Sequence, residues 1–311
     1  MSTKGLVASV SISTRKGTPK EPVESIHIEN DGVRGDAHRG PGLRQVSLLS
    51  EECVREFNAE SKRSYGPGDF AENVTVRGVA LGLAAPLDRI RIGTVELEVT
   101  QLGKRCHGDG CAIFQAVGRC LMPSHGVFAR VISEGTVRPG DAVELEARPY
   151  RFEVVTLSDR AFRGEYSDRS GPAIEELLTS HAAEAGRPIT VRRALIPDDP
   201  HLLGERLRAG LEDGLDAIIT TGGTGIGPRD FAPEVVQGAC ERMLPGIMET
   251  IRVKYGLDNP RARLSRGVAG VAGTTQLYAL PGSVKAVREY IPEILLTFDH
   301  VRLTLHGLDD H

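Results

Sequence analysis

The chain has 311 residues, about twice the length of a typical single domain, so two domains are expected. Its hydrophobic content of 40%, charged content of 26% and formal net charge of −4 are those of an ordinary globular protein and argue against a general nucleic-acid binder. Trp is absent, no basic block stands out, and no apolar stretch approaches the ~18 residues of a membrane span, so nucleic-acid and membrane partners are not expected.

The opening MSTKGLVASVSIS alternates apolar and polar residues and lacks the continuous apolar segment of a signal peptide. Together with an odd count of five cysteines, this points to a reducing, cytoplasmic setting. Up to residue 147 the dominant period is two. GLVASVSIS, VESIHIEN, RQVSLL, ENVTVRGV, DRIRIGTVELEVTQL, GVFARVISE and AVELEA each read as strands edged by Gly, Pro or Asp. One amphipathic helix, SEECVREFNAES, is expected with Ser50 as its N-cap. Many strands and few helices predict a mostly β, barrel-like domain over residues 1–147.

After EARPYR the pattern changes to alternating strands and helices. FEVVTLSD reads as a strand, and SGPAIEELLTSHAAEAG as a helix capped by Ser170. TVRRALIPDD is the next strand. PHLLGERLRAGLEDG then reads as a helix with Asp199 as N-cap and Leu202, Leu203, Leu207 and Leu211 on one face. DAIITT is a third strand, PEVVQGACERML a helix, and QLYALPGS a strand feeding a last helix from VKAVREY. This alternation predicts a three-layer α/β domain with a mostly parallel sheet over residues 152–311.

In such a sheet, ligands bind beyond the strand ends. Three clusters fall there: LIPDD, TTGGTG and LPGS. The sequence GGTGIG lacks the dinucleotide spacing, and no G-K-[ST] follows it, so it is neither a Rossmann fingerprint nor a Walker A loop. What remains is a run of uncovered backbone N–H groups, with the Thr221 and Thr224 hydroxyls beside it, that suits an anion such as phosphate. Asp198 and Asp230 near phosphate would repel it unless a cation intervened, which points to Mg²⁺, while Arg229 would neutralise phosphate charge directly. The plainer alternative makes the glycines a tight turn, with Asp198 and Asp230 capping the helices that follow them.

Cys106, Cys111 and Cys120 cluster in GKRCHGDGCAIFQAVGRCLMPSHG. A zinc site completed by His107 or His125 is one reading, but structural zinc sites favour two closely spaced cysteine pairs. The other is a thiol activated by Lys104, Arg105 and His107. Cys120, Cys53 and Cys240 read as small buried residues.

Residues 152 to about 306 resemble the molybdopterin adenylyltransferase family, the MogA/MoaB-like proteins. The matching segments are LSDRAFRGEYSDRSGP (157–172), LIPDD (195–199), TTGGTGIGPRDFAPE (220–234), LPGIMET (244–250), LSR (264–266) and ALPGS (279–283). The resemblance implies molybdenum cofactor biosynthesis, with attack of the molybdopterin phosphate on the α-phosphate of ATP to give adenylylated molybdopterin and pyrophosphate. It makes Asp198 and Asp230 the catalytic acids acting through Mg²⁺, and places the pterin ligand on Gly222, Gly223, Thr224 and Gly225. Ser158, Glu249, Ser265 and Gly282 carry over as further binding residues. Phe231 and Ala232 stand where the family often has Val–Thr. Family members are commonly trimers, so a homo-oligomer is implied.

Residues 1 to about 147 resemble a MOSC domain through GDAHRG (35–40), CAIF (111–114) and GVFARVISEGTVRPGDAVEL (126–145). That resemblance implies binding of the molybdenum cofactor, or sulfur carried as a persulfide, with Cys111 the matching cysteine and Cys106 the runner-up. His38 and Arg39 are candidates for a pterin phosphate, although GDAHRG reads equally as a surface turn. Other proteins of the same biosynthesis are possible partners. Two rivals remain: a non-catalytic pterin-binding protein, and a nucleotide pyrophosphatase of the competence-damage-inducible type.

Overall fold

The computed structural model describes residues 2–104 and 120–308. The chain divides into two compact units, 1–148 and 149–311.

In the first unit the period-two segments become, among the described residues, eleven strands, eight of which belong to the sheet that closes into a barrel. These are β1 (Ser2–Ile12), β2 (Glu21–Val23), β3 (Ile26–Glu29), β4 (Gly32–Val33), β5 (Val46–Ser50), β6 (Val74–Arg77), β7 (Arg89–Ile92), β8 (Val95–Leu102), β9 (Val127–Ser133), β10 (Gly135–Val137) and β11 (Ala142–Glu146). The main sheet runs β11-β7-β8-β9-β5-β6-β1-β2, and an antiparallel β11–β1 pairing closes it. Closure removes the free edges that an open sheet would leave. Val7, Val10, Leu48, Val74, Val76, Ile90, Ile92, Leu97 and Val99 fill the interior, so the alternation in sequence is the inside–outside alternation of the barrel. The helix Glu51–Ser61 follows β5, with Ser50 Oγ accepting from the Cys53 N–H at 3.4 Å. Three short strands, β10-β3-β4, form a separate sheet.

The second unit holds a mixed six-stranded sheet. Its strands are β12 (Tyr150–Leu157), β13 (Ile189–Ile196), β14 (Ala217–Thr221), β15 (Arg242–Met243), β16 (Val268–Ala272) and β17 (Thr275–Leu280), in the order β13-β12-β14-β17-β16-β15. The first four in that order run parallel, and β16 and β15 are antiparallel additions at one edge. The central strand β14 is buried at every residue, as a parallel strand covered on both faces must be. Ala217 and Ile219 pack with the helices Ser170–Glu184, Pro245–Asp258 and Val284–Leu305. Ile218 packs on the opposite face with the helices Pro200–Glu212 and Ala232–Ala239. From β12 the chain moves outward to β13, then crosses back to β14. The crevice between the ends of β12 and β14 is therefore the point where the winding reverses.

Several expectations need correction. Ser170 does not cap its helix: the helix begins at Ser170, and the Asp168 carboxylate accepts from the N–H groups of Ser170 and Gly171 at 3.0 and 3.1 Å. The predicted helix PEVVQGACERML stops at Ala239, because Cys240 turns extended and Arg242–Met243 pairs with Val271 and Gly270. Leu202 lies exposed rather than with the buried Leu203 and Leu207. The helix Pro245–Asp258 and the antiparallel strand β16 had no counterpart in the sequence reading. Among the described residues no helix is long and apolar enough to cross a membrane.

Candidate functional site

Three strand ends meet backbone to backbone in the second unit. Gly222 and Gly223, directly after β14, have φ of +107° and +60°, the left-handed region where a side chain is strained. A Cβ on Gly222 would run into the Leu157 carbonyl at the end of β12. A Cβ on Gly282, just beyond β17, would lie 3.2 Å from Gly222 Cα. The Gly222 N–H donates to Leu280 O at 3.0 Å, and Thr221 Oγ1 donates to Pro281 O at 3.0 Å. The Thr221 hydroxyl therefore ties β14 to the segment after β17, and its proton is not directed at an anion as the sequence suggested. Thr224 is buried. The glycine run thus satisfies a severe turn and a close approach together.

Around this turn lie three clefts. The largest, about 550 Å³, is lined by Gly222, Gly223, Thr224, Gly225, Asp230, Ser265 and Gly282, and also by Arg261, Lys285 and Tyr290. A second, about 330 Å³, brings Asp198 and Asp230 together with Ser158, Gly223 and Arg229. The two share Gly223 and Asp230. A third, about 320 Å³, also touches Ser158 and Gly282. The expected residues thus converge, with one exception: Glu249 is exposed on the helix Pro245–Asp258 and lines none of these clefts.

Neither acid caps the helix that follows it. Asp199, not Asp198, caps Pro200–Glu212 by accepting from the His201 and Leu202 N–H groups. Asp230 Oδ2 instead accepts from the Gly227 N–H at 2.8 Å, while its own N–H donates to Gly227 O at 3.0 Å. Asp198 Oδ2 accepts from the Asp159 N–H at 3.3 Å, and Asp159 Oδ1 accepts from the Asp198 N–H at 3.0 Å. Each carboxylate keeps a second oxygen outside these bonds. Two such oxygens on one cleft suit Mg²⁺, which takes one or two carboxylates and completes its shell with phosphate and water. Among the described residues no group of three or more His, Cys, Asp or Glu is arranged to hold a metal on its own.

Two residues the sequence reading did not single out join the site. Asp159 forms an ion pair with Arg229 at 3.1 Å, leaving the Arg229 side chain 79% exposed at the cleft. Arg266 reaches Gly225 O and Asp230 O, each at 2.6 Å, and pairs with Glu234. Both sit inside quoted motifs, LSDR and LSR, but their neighbours 39 and 36 residues away leave no local signal. Ser158 caps the one-turn helix Asp159–Phe162, and its hydroxyl also meets Tyr166 Oη at 2.8 Å.

In the barrel unit, a cleft of about 570 Å³ is lined by Lys16, His38, Arg44, Lys104, Asn73 and Met122, among others. His38 lies in an exposed turn, as one reading of GDAHRG had it, and that turn borders the cleft. Arg39 does not line it: its guanidinium is held by Asp31 at 2.7 Å and by Glu29. Behind His38, Asp36 and Lys20 form a fully buried ion pair at 2.6 Å. Burial works against the Asp36 charge, but hydrogen bonds from His38 and Lys20 outweigh it and hold the carboxyl well below the usual range. Cys106, Cys111, Arg105 and His107 lie outside the described residues. Cys120 is half-buried against an apolar cluster with Cys53, whose Sγ lies 3.9 Å from His125 Nδ1.

Comparison with known proteins agrees with this division. The family described as a probable molybdopterin binding domain matches residues 153–300, and the MOSC domain family matches residues 34–144. The molybdopterin adenylyltransferase of Helicobacter pylori is 34% identical over 142 residues, which is 45% of this chain and 79% of that protein. The molybdenum cofactor biosynthesis bifunctional protein of Synechococcus elongatus is 34% identical over 157 residues, 50% of this chain and 47% of that one. The Drosophila melanogaster molybdenum cofactor synthesis protein cinnamon is 34% identical over 150 residues, and the chain spans only 24% of its length. Through residues 153–300 the chain belongs to the molybdopterin-binding family, carried behind a MOSC domain.

Proposed function

We propose that the second unit adenylylates molybdopterin. The observation that carries this reading is that Asp198 and Asp230 line one cleft beside the Gly222–Gly225 turn, where the plainer assignment would have spent both on helix caps. The turn offers the Gly223–Gly225 amides to phosphate oxygens, the Gly222 amide being taken by Leu280 O, and Arg229, whose ion pair with Asp159 leaves its side chain 79% exposed, is free at little cost to meet a polyphosphate. The molybdopterin phosphate oxygen attacks the α-phosphorus of ATP, the bond to the β-phosphate breaks, and pyrophosphate leaves. For such a transfer, positioning and charge neutralisation supply most of the acceleration. Mg²⁺ held by Asp198 and Asp230 would supply neutralisation of phosphate charge. Gly223 and Asp230 border both larger clefts, which supports two ligands approaching each other across the turn.

The barrel unit takes the molybdenum cofactor or carries sulfur to it, with Cys111 as the persulfide site. The cationic lining of Lys16, Arg44 and Lys104, with His38 beside them, supports an anionic ligand there. We read the protein as a cytoplasmic homo-oligomer, a trimer by family resemblance, in which tethering raises the effective concentration of one unit's product at the other.

The test is incubation of the purified protein with molybdopterin and Mg–ATP, followed by pyrophosphate assay. The parent releases pyrophosphate only when the pterin is present. Asp230→Asn loses turnover and retains much of its ligand affinity. Release by Asp230→Asn at the parent rate would mean a different site. Hydrolysis of a dinucleotide without pterin would favour the pyrophosphatase reading.

A further inference from the structure

We infer that Arg266 is a positioning residue for the transfer, clamping the glycine loop so that the Asp230 carboxylate faces the cleft; this rests on the adenylyl-transfer reading of that site. Four bonds support it. The guanidinium Nε donates to Gly225 O and Nη2 to Asp230 O, both at 2.6 Å, while Nη1 pairs with Glu234. The Arg266 backbone N–H donates to Thr224 O at 3.2 Å. The two clamped carbonyls bracket the segment 225–230. Inside that segment, the Asp230 N–H meets Gly227 O, and Asp230 Oδ2 takes the Gly227 N–H. The segment is thereby closed into a ring whose ends are held by one planar cation, and the orientation of the carboxylate is set within that ring.

The chemistry calls for arginine. Two carbonyls and a carboxylate need three donors in one rigid plane, whereas an ammonium is a compact point charge on a flexible stem. Arg266 belongs to neither apolar core of this unit, and its side chain is 34% exposed. Its loss should therefore loosen the loop without unpacking the sheet. Arg266 lines none of the three clefts around the turn, which separates it from groups that touch substrate.

The test compares the full-length parent with Arg266→Ala and Arg266→Lys in the pyrophosphate assay, with and without added guanidinium, and follows amide exchange at Gly227. Misplacing a reacting group by about 1 Å costs on the order of 100-fold, so kcat of Arg266→Ala should fall by about that factor while KM for ATP moves less than about threefold. Guanidinium should restore at least about tenfold of the lost kcat, Arg266→Lys should remain impaired, and the Gly227 amide should exchange faster in both variants. A kcat within about threefold of the parent, or a rise in KM alone, would overturn the assignment. Should Arg266→Ala fail to fold, Arg266→Lys is judged by the same limits. If the parent itself releases no pyrophosphate, the adenylyl-transfer reading fails on its own, and unchanged exchange at Gly227 would then refute the clamp separately.

Discussion

Gly225→Ala tests the geometry of the acid pair with the smallest change available. A Cβ at residue 225 would lie 2.6 Å from Asp230 Oδ2 and 3.2 Å from its Cγ, whereas ordinary contact begins near 3.4 Å. The oxygen must therefore retreat by about 0.8 Å, the difference of those two distances. The retreat breaks the 2.8 Å bond from the Gly227 N–H, which lies at the surface. A hydrogen bond to a charged group contributes about 1.5–3 kcal/mol, and solvent at this exposed position reduces the loss to about 1 kcal/mol. For a unit of this size that lowers Tm by only about 2–4 °C. Turnover should suffer more, because a displacement near 1 Å costs about 100-fold. Gly227→Ala provides a graded control: its Cβ would stand 3.0 Å from the same oxygen, demanding about half the movement. The assay is pyrophosphate release with saturating molybdopterin and Mg–ATP, beside a thermal melt. Parent-like turnover in Gly225→Ala, or a larger loss in Gly227→Ala than in Gly225→Ala, would refute the argument.

Two further perturbations address stability. Gly222→Ala combines a left-handed φ of +107° with a collision against the Leu157 carbonyl, so it should cost at least about 2 kcal/mol and lower Tm by about 4–8 °C; a smaller loss than in Gly225→Ala would contradict the close strand contact. In the barrel, the depressed Asp36 pKa means that its contribution is complete above the ordinary carboxylate value and is lost as pH falls through the folded value. Acid titration followed by amide exchange in the barrel should show that loss. Lys20→Met should cost about 3–5 kcal/mol at neutral pH by stranding a buried charge, and should flatten the acid dependence; parallel titration curves for the two proteins would rule the pair out as its source.

Much of the architecture could be read from local pattern. Period-two segments became the barrel strands because each inward residue meets a closed apolar interior. Asp199 and Ser50 cap as expected, since a cap depends on the next three residues. Ser170 was misread because Asp168, two residues earlier, accepts from the Ser170 and Gly171 N–H groups and from the Ser170 hydroxyl itself, and also accepts from Thr156 Oγ1 at 2.9 Å. At the antiparallel edge, β15 was invisible because its partner strand lies almost thirty residues on, whereas β16 turns back into β17 through Gly273–Thr274, a local hairpin signal that was overlooked. At the site, glycines and acids were legible as composition, but Arg266 acts through carbonyls that any residue would present. Its role exists only once the loop is folded against it.

The β1–β11 ladder sets a timetable for the nascent chain. Its register joins Ser2 to Glu146 and Leu6 to Ala142, so β1 waits for β11, the last strand of its unit, before it gains that neighbour. Until then both rims carry unpaired amides, and a truncation before residue 142 would leave a hydrogen-bonding seam exposed to other chains.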